Sequence, residues 1–484
     1  MTTEQGRAGG AGTKAGTTRR LALNTVAPMA ARVVDAAFAL VYLRLLGRTD
    51  VGTYQFLVVF TTYLDTLVDF GLNALVAREV SRGAVSAATA FRAVNLLRLG
   101  LWLIGLPIVW LVYGPLRPAT NLPDDSVIAG WLFYLALLPS VLSKTASGVL
   151  WAAERLELTA GVQVVATLLR TALGAVVLFS GFGLTGLAAA SLLTNVVTAV
   201  ILWRLSSRAT AFAARQPLAL RAWLAQSWPL FVNQLLQGLF FKIDSILLLP
   251  LAGAASAGVY AAAYKVSEGA GIVSSSFTLA IFPRLSRQTD LSDAYRLALR
   301  ILLQVAFPLA AGVALLSEPI VTLVGGRGYL PDSAIALSIL IAYLPLSYAN
   351  GLTQYVLIAA GRQRLLSGAF VAALIFNLLA NVLLIPRFGY VGAAWVTVAS
   401  EVILLVPFQW AARKVAPGVS LLSEVRTPFL ATLFMAPVVW WVRDALHPLA
   451  AIAVGAIVYP LALWSLGGID DRERRLLRQL SGSA

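Results

Sequence analysis

The feature that most constrains this chain is a series of apolar runs, each long enough to cross a lipid bilayer as a helix. A spanning helix needs about 20 mostly apolar residues, and the sequence holds fourteen runs of that kind. Only 12% of the residues are charged, about half the share found in soluble domains. The sequence therefore predicts an all-α polytopic membrane protein and excludes an ordinary soluble fold. The expected bounds are roughly 21–46, 51–77, 90–113, 127–151, 158–180, 184–204, 222–250, 254–282, 297–324, 333–359, 365–386, 391–411, 427–446 and 448–467.

The two halves of the chain repeat one another at a spacing of about 206 residues. LGRTDVGTY at 46–54 returns as AGAASAGVY at 252–260, and FGLTG at 182–186 returns as FGYVG at 388–392. AAER at 152–155 returns as AAGR at 359–362. Six helices separate the copies, and an even number means that both enter the membrane in the same direction. We therefore predict two six-helix lobes related by a parallel repeat, followed by two C-terminal helices.

Basic residues indicate the orientation of the chain. With the N-terminus in the cytoplasm, 24 of the 37 Lys and Arg residues fall in inside segments and 5 in outside loops. Cytoplasmic loops are the ones that carry this excess, so we expect both termini inside. The predicted division is a disordered N-terminus (1–20), a first lobe (21–205), an interlobe linker (206–221), a second lobe (222–412), helices 13 and 14 (413–467) and a basic tail (468–484).

The composition also excludes several kinds of chemistry. The chain has no cysteine and a single histidine, His447, so thiol catalysis and a Cys/His metal site are excluded. It has no G-x-x-x-x-G-K-[ST] loop for ATP phosphates, and the short connections leave no room for a catalytic domain. The net charge of +15 fits anionic membrane lipids better than nucleic acid. We expect a transporter rather than an enzyme, with no metal and no cofactor.

Ionisable residues also fall well inside the predicted helices, where each costs about 3 kcal/mol at the bilayer centre. The first hairpin of each lobe carries most of them. We expect the two arginines nearest the cytoplasmic ends, Arg98 and Arg300, to snorkel. A second set of candidates consists of Lys144, Arg170 and Glu401. The main candidates for a substrate path are Arg32, Asp35, Asp65, Asp69, Asn233, Gln237, Lys242, Asp244, Lys265 and Glu268.

Two interpretations of these charges stand side by side. They form ion pairs that fasten each hairpin, or they line a hydrated vestibule between helices 1, 2, 7 and 8, which is the interpretation we favour for the set. Glu401 either carries a proton or bonds a polar neighbour. The pairs Asn350 with Gln354 and Asn377 with Asn381 are spaced to hydrogen-bond between helices.

Four stretches of the sequence carry a family resemblance: RLLGRTDVGTYQFL (44–57), DFGLNALVAREVSR (69–82), WPLFVNQLLQGLFFKIDSILL (228–248) and AAGRQRLLSGAFVAALIFNLLANVLLIPRFGYVGAAWVTVASE (359–401). In their order and spacing they resemble the polysaccharide-biosynthesis (Wzx-type) flippases of the MOP superfamily. The resemblance implies a bacterial plasma-membrane transporter that moves undecaprenyl-pyrophosphate-linked oligosaccharide to the outer leaflet by alternating access. It implies lumen cations at Arg32, Lys242 and Lys265. The carboxylates beside them depart from a purely cationic lumen and leave room for coupling to a proton or sodium gradient.

Other functions remain open at this point. A lipid II flippase would share the fold and the helix count, and a cation-coupled drug exporter belongs to the same superfamily but has twelve helices and a less charged path. A membrane glycosyltransferase or polymerase needs a large outer loop, which this sequence does not have. The expected partners are a lipid-linked oligosaccharide, anionic membrane lipids and other polysaccharide-assembly membrane proteins, with no nucleic acid.

Overall fold

The computed structural model describes residues 31, 33–209, 220–285, 291–445 and 447–468, and within these ranges the regular structure is entirely helical. The predicted N-terminal segment 1–20, Arg32 and most of the basic tail lie outside the described residues. The helices are α1 (33–45), α2 (Arg48–Asp69), α3 (Leu72–Ser81), α4 (Ala87–Tyr113), α5 (Arg117–Thr120), α6 (Val127–Leu135), α7 (Leu137–Ala152), α8 (Leu156–Phe179), α9 (Gly183–Ala209), α10 (Leu220–Leu285), α11 (Leu291–Leu315), α12 (Ser317–Gly325), α13 (Asp332–Leu340), α14 (Leu344–Ala359), α15 (Gln363–Val415), α16 (Leu421–Val442) and α17 (Pro448–Ser465).

The described helices include enough membrane-length segments to match the predicted number of spans. Eleven segments have the length and apolar character to cross a membrane. Two of them, Leu220–Thr278 and Leu365–Val415, hold 59 and 51 residues, which is enough for two crossings each. They break at Gly253 and Gly389, where φ is 82° and 54°. With each counted twice, the described residues hold thirteen candidate crossings, and the prediction of an all-α membrane protein with about fourteen spans is confirmed.

The helix surfaces carry the apolar exposure expected of contact with lipid. In the middle of α4, Leu103 and Ile104 are 52% and 62% exposed. On α16, Trp441 is 77% exposed. Large apolar side chains exposed in this number mark an interaction surface rather than a water-facing one.

The first compact unit of the structure is Met1–Ala255, and the second is Ser256–Ala484. The division falls just after the break at Gly253, so the first arm of α10 (220–252) belongs to the first unit by its contacts. The sequence repeat had assigned that helix to the second lobe. The six-helix lobes therefore remain a prediction about internal duplication and are not the compact units.

In the first unit, a buried apolar cluster joins α3, α4, α7 and the first arm of α10. Its members include Leu72, Val94, Val149 and Trp223, each at most 6% exposed. A second cluster of Ala146, Leu150, Val162 and Leu202 joins α7 to α8 and α9. These two clusters fix α7 at the centre of the unit, which is the helix that carries Lys144.

The second predicted span of the first unit is not one continuous helix. Phe70 and Gly71 both have left-handed backbone angles, with φ of 49° and 72°, and they separate α2 from α3. A Cβ on Gly71 would lie 2.8 Å from Leu230 Cβ and 3.1 Å from Phe231 N. Phe70 stacks on Phe231 with ring centroids 4.5 Å apart. The break therefore lets the first arm of α10 approach the α2–α3 backbone closely.

In the second unit, α16 and α17 pack against α11 and α12. The buried cluster includes Leu316, Ala431, Met435, Val439 and Tyr459. An ion pair between Arg300 and Glu424, 2.7 Å long, adds a polar contact between α11 and α16. The two helices outside the sequence repeat are thus attached to the first helix that follows α10.

The sequence repeat is also visible in the backbone. Gly183 and Gly389, at equivalent positions, have φ of 52° and 54°. Glu154 and Gly361, also equivalent, have φ of 57° and 70°. A positive φ costs a residue with a side chain about 1–2 kcal/mol, so its presence at Glu154 indicates that the turn is imposed by the packing of the helices on either side.

Candidate functional site

The two acidic site candidates of α2, Asp65 and Asp69, lie in its last turns, and each has a basic partner from another helix. Arg98 of α4 places Nη2 2.6 Å from Asp69 Oδ1, and the arginine side chain is 0% exposed. Arg98 Nη1 also donates to Val141 O and Thr145 Oγ1 on α7. The expectation that Arg98 snorkels is wrong, because its guanidinium is enclosed by α2, α4 and α7.

Lys144 of α7 pairs with the other α2 carboxylate. Its Nζ lies 2.6 Å from Asp65 Oδ2 and 4.0 Å from Asp69 Oδ1. The side chains of Lys144 and Asp65 are 31% and 27% exposed. This pair therefore differs from the Arg98–Asp69 pair, since part of both side chains is accessible.

A third ion pair joins α1 to α8 in the same unit. Arg170 Nη2 lies 2.7 Å from Asp35 Oδ1, and the two side chains are 46% and 42% exposed. The hairpin interpretation predicted pairing between α1 and α2. The structure instead pairs their acids with α4, α7 and α8, because those helices pack around α2 and bring long basic side chains within reach.

A cavity of about 280 Å³ lies inside the first unit, beside these pairs. Asp65 and Arg170 line it together with Thr61 and Thr62 of α2. Asp65 Oδ1 and Thr61 Oγ1 are buried and have no hydrogen-bond partner among the described residues. Buried polar atoms are normally bonded, so this cavity has the polar lining and unused acceptors needed to hold water or a small polar group. The other lining residues are Phe38, Tyr54, Val58, Phe133, Leu137, Ser140, Gly174, Leu187, Ala190, Ser191 and Asn195.

The first arm of α10 carries four further candidates. Gln237 Nε2 donates to Asn233 Oδ1 at 3.4 Å on the exposed side of the helix, as their spacing predicts. Asp244 is 3% exposed and its Oδ1 accepts a bond from the Ser245 backbone N at 2.6 Å. Lys242 is partly buried.

In the second unit, Lys265 pairs with Glu268 on the second arm of α10 (254–285). Lys265 Nζ lies 3.2 Å from Glu268 Oε2, and the side chains are 26% and 35% exposed. This is pairing within one helix at i,i+3 rather than between helices. That helices 1, 2, 7 and 8 line one shared vestibule stays a prediction.

The remaining acidic candidate, Glu401, is 4% exposed. Asn350 Nδ2 donates both to Glu401 Oε2 at 2.7 Å and to its backbone O at 2.9 Å. Asn377 Nδ2 donates to Ser400 Oγ at 2.8 Å. Buried amides thus tie α14 to α15 and the two arms of α15 to each other, as the sequence predicted for asparagines in spans.

Two partners of basic residues in the spans, Glu424 and Thr145, were not predicted from the sequence. Glu424 of α16, 6% exposed as a side chain, binds Arg300 at 2.7 Å, whereas Arg300 was expected to snorkel. Thr145 of α7 accepts from Arg98 and lies 2.7 Å from Asn95 Oδ1. The one available signal was the cost of a charge in a span, which demands a partner without saying which helix supplies it.

The sequence of this chain is similar to those of known membrane proteins. The sequence model of the family described as polysaccharide biosynthesis protein matches residues 18–289, more than half of the chain. The model described as lipid II flippase MurJ matches residues 220–458. A probable flippase, AglR, of Haloferax volcanii is 22% identical over 427 residues, which is 85% of this chain and 88% of AglR.

Two solved structures share the fold. Lipid II flippase MurJ in an inward closed conformation is 14% identical and superposes with a TM-score of 0.75, over 91% of this chain and 97% of MurJ. An inward-facing multidrug resistance MATE family transporter of the MOP superfamily is 17% identical, with a TM-score of 0.66, over 81% of this chain and 97% of that one. At these identities the likeness concerns the fold.

Proposed function

Because this chain belongs to the polysaccharide biosynthesis protein family and has the fold of MOP-superfamily transporters, we propose that it is a flippase for a lipid-linked glycan. The proposed cargo is undecaprenyl-pyrophosphate-linked oligosaccharide, carried from the cytoplasmic to the outer leaflet of a bacterial plasma membrane by alternating access. Its product would serve the assembly of surface polysaccharide. Other polysaccharide-assembly membrane proteins and anionic lipids are the expected partners.

One observation supports this proposal above the others: ion pairs that involve membrane-length helices remain partly exposed. Asp35 and Arg170 are 42% and 46% exposed, and Asp65 and Lys144 are 27% and 31% exposed. Charged groups are tolerated at membrane depth where they face protein or a water-filled cavity. A polar lining of this kind lowers the barrier for a hydrated head group, while the lipid tail stays in hydrocarbon.

The chemistry of the lining fits a glycan carried on a pyrophosphate. The accessible bases Lys144 and Arg170 stand against the carboxylates of Asp65 and Asp35. Lysine and arginine bind phosphate oxygens, and carboxylates accept bonds from sugar hydroxyls. The mixed charges also leave groups for coupling to a proton or sodium gradient.

A second candidate is a lipid II flippase. The match of residues 220–458 to the MurJ family model favours it. Lipid II is also a glycan on an undecaprenyl pyrophosphate, so the same lining would serve both cargoes and only transport selectivity separates them. Export of cationic drugs fits less well, because every carboxylate of the first-unit lining already has a basic partner.

The test is leaflet exchange in liposomes that contain the purified chain. Three fluorescent cargoes are compared: an undecaprenyl-pyrophosphate-linked oligosaccharide, lipid II and a lipophilic cation, each with and without a proton or sodium gradient. We expect the oligosaccharide to exchange faster than in protein-free liposomes and faster than the other two. Faster exchange of lipid II would support the second candidate, and no exchange of either glycan lipid would contradict both.

Substitutions add a matched comparison to this assay. Lys265→Ala removes a candidate lumen cation and should slow exchange at unchanged protein level, and we expect the same of Arg32→Ala. Glu424→Gln alters an ion pair between α11 and α16 of the second unit and should leave the exchange rate of the folded fraction unchanged. Equal rates for Lys265→Ala and the unaltered chain would remove Lys265 from the path.

A further inference from the structure

The first unit contains two ion pairs that share α2 but differ in accessibility. Asp69 is held by Arg98, whose side chain is 0% exposed and has further bonds to α7. Asp65 is held by Lys144 alone, and both side chains are about one third exposed. The additional hydrogen bonds of Arg98 make the Arg98–Asp69 pair a fixed structural contact. The Lys144–Asp65 pair has no such additional bonds and is accessible, as expected of a pair that can exchange partners.

The surroundings of Asp65 favour exchange further. Its Oδ1 is buried without a hydrogen-bond partner among the described residues, and the residue lines the 280 Å³ cavity. The carboxylate therefore has a single strong bond to lose. Lys144 lies 4.0 Å from Asp69 Oδ1, but that oxygen already accepts from Arg98 at 2.6 Å, so Asp69 is a poor substitute partner for the lysine.

The charged groups near Asp65 come from five helices, whereas α6 and α9 line the cavity with uncharged residues. The charged groups are Lys144 on α7, Asp69 on α2, Arg98 on α4, Arg170 on α8 and, bound to Arg170, Asp35 on α1. The three bases and three acids of this set cancel in charge. An anion that enters the set needs a base released from its acid, and both Lys144 and Arg170 are accessible with one close bond each. Lys144 is distinguished by its partner, because Asp65 Oδ1 is buried and has no other hydrogen-bond partner among the described residues.

We infer that Lys144 exchanges partners during transport: its ammonium leaves Asp65 for a phosphate oxygen of the cargo, and the released Asp65 carboxylate takes up one proton from water. No covalent bond to phosphorus changes in this step; one N–H···O contact is replaced by another, one O–H bond forms on Asp65, and one bond to hydrogen breaks in the hydronium or buffer acid that supplies the proton. A buried carboxylate without a cation is costly, and a neutral carboxyl is not. Binding of the anion and uptake of a proton are then linked at one position.

This inference rests on the proposed function for the identity of the anion, and its test uses the head group without the glycan. Undecaprenyl pyrophosphate is titrated calorimetrically onto the full chain in detergent, with undecaprenol as the uncharged control. Titrations in two buffers of different ionisation enthalpy give the number of protons taken up. We expect about one proton to be taken up per undecaprenyl pyrophosphate bound, since one carboxylate is released. For undecaprenol, which lacks the pyrophosphate, we expect only the binding that the lipid tail itself provides.

Three variants separate an exchangeable pair from a structural one. Lys144→Gln removes the cation and should weaken pyrophosphate binding about tenfold, the loss of ~1.4 kcal/mol. Asp65→Asn releases Lys144 in advance and should strengthen binding and abolish proton uptake. Glu424→Gln, at an ion pair of the second unit, should match the unaltered chain in both measurements.

The opposite outcomes are equally distinct. If Asp65→Asn weakens binding as Lys144→Gln does, the pair is structural and the inference is wrong. If Lys144→Gln binds as the unaltered chain does, the inference is also wrong, and leaflet exchange of the oligosaccharide by the unaltered chain would still support the proposed function. If the binding pattern is as expected but no glycan lipid changes leaflet, the proposed function fails and the exchange at Lys144 stands.

Discussion

Arg98 Nη2 lies 2.6 Å from Asp69 Oδ1, and no part of the arginine side chain is exposed. Removing one member of a buried pair leaves an uncompensated charge, which costs about 3–5 kcal/mol. Asp69→Asn should therefore lower the unfolding temperature strongly. The double substitution Asp69→Asn with Arg98→Met should recover part of the loss, because it removes both charges.

The readout is thermal unfolding in detergent followed by tryptophan fluorescence, for which the chain has 12 tryptophans. The matched control is Arg170→Gln in the half-exposed pair with Asp35. Water-accessible pairs contribute about 0–1 kcal/mol, so this variant should unfold near the temperature of the unaltered chain. An Asp69→Asn protein as stable as Arg170→Gln would show that the Arg98 site is not dry.

Gly71 provides a second test, at the break between α2 and α3. Its φ is +72°, and an added Cβ would lie 2.8 Å from Leu230 Cβ. A left-handed angle alone costs a side-chain residue about 1–2 kcal/mol, and the contact adds to that. Gly71→Ala should lower the unfolding temperature and the yield of monodisperse protein.

Gly161→Ala is the control, since that glycine lies inside α8 with nothing within 4 Å of its would-be Cβ. Alanine is the better helix former by about 1 kcal/mol, so this substitution should raise stability slightly. The two variants are the same chemical change, and their effects are expected to have opposite signs. Equal effects would mean that α10 does not press on the α2–α3 break.

The buried acid of the second unit can be tested with its amide partner. Asn350 Nδ2 donates to Glu401 Oε2 at 2.7 Å, and no ion pair with Glu401 occurs among the described residues. Glu401→Gln keeps an acceptor oxygen and should leave stability nearly unchanged. Asn350→Leu removes one of the donors to a buried carboxyl and should cost about 1–3 kcal/mol, measured by the same unfolding assay. A strong loss in Glu401→Gln would mean that the charge itself is needed there.

Topology is testable directly because the chain has no cysteine. The exposed positions Thr49 and Arg208 lie at the start of α2 and near the end of α9. In intact cells, a membrane-impermeant maleimide should label Thr49→Cys and should reach Arg208→Cys only after permeabilisation. The reverse pattern would invert the orientation. Thr53, although in the predicted outer turn, is 1% exposed and would give no signal in either orientation.

The sequence predicted the helical spans well and the partners of their charges poorly. Hydropathy is a local property, so the positions of spans such as α4 and α8 follow from a window of about 20 residues. The partner of Asp65 lies 79 residues away on α7, and only helix packing decides that. The sequence repeat predicted more of the local structure than composition did, because Gly183 and Gly389 occupy equivalent positions in it and form matching turns.

The breaks within spans were not predictable for the same reason. Nothing in the letters around Phe70 and Gly71 requires a left-handed pair, because a glycine in an apolar run is common in membrane helices. The requirement comes from the close approach of Leu230 and Phe231. Arg98 is a similar case: its position near the end of a run suggested snorkelling, and the acid that holds it is on another helix.

The central claim is that a water-accessible polar path lies inside apolar helices of this chain, and single cysteines test it most directly. Thr62 lines the cavity of the first unit, and Ile104, 62% exposed on α4, faces lipid in this account. In membranes, a charged methanethiosulfonate reagent should modify Thr62→Cys, more slowly when undecaprenyl-pyrophosphate-linked oligosaccharide is present, and should leave Ile104→Cys unmodified. Equal lack of reaction at both positions would mean that the charges of α2 lie in a dry interior, which contradicts the account.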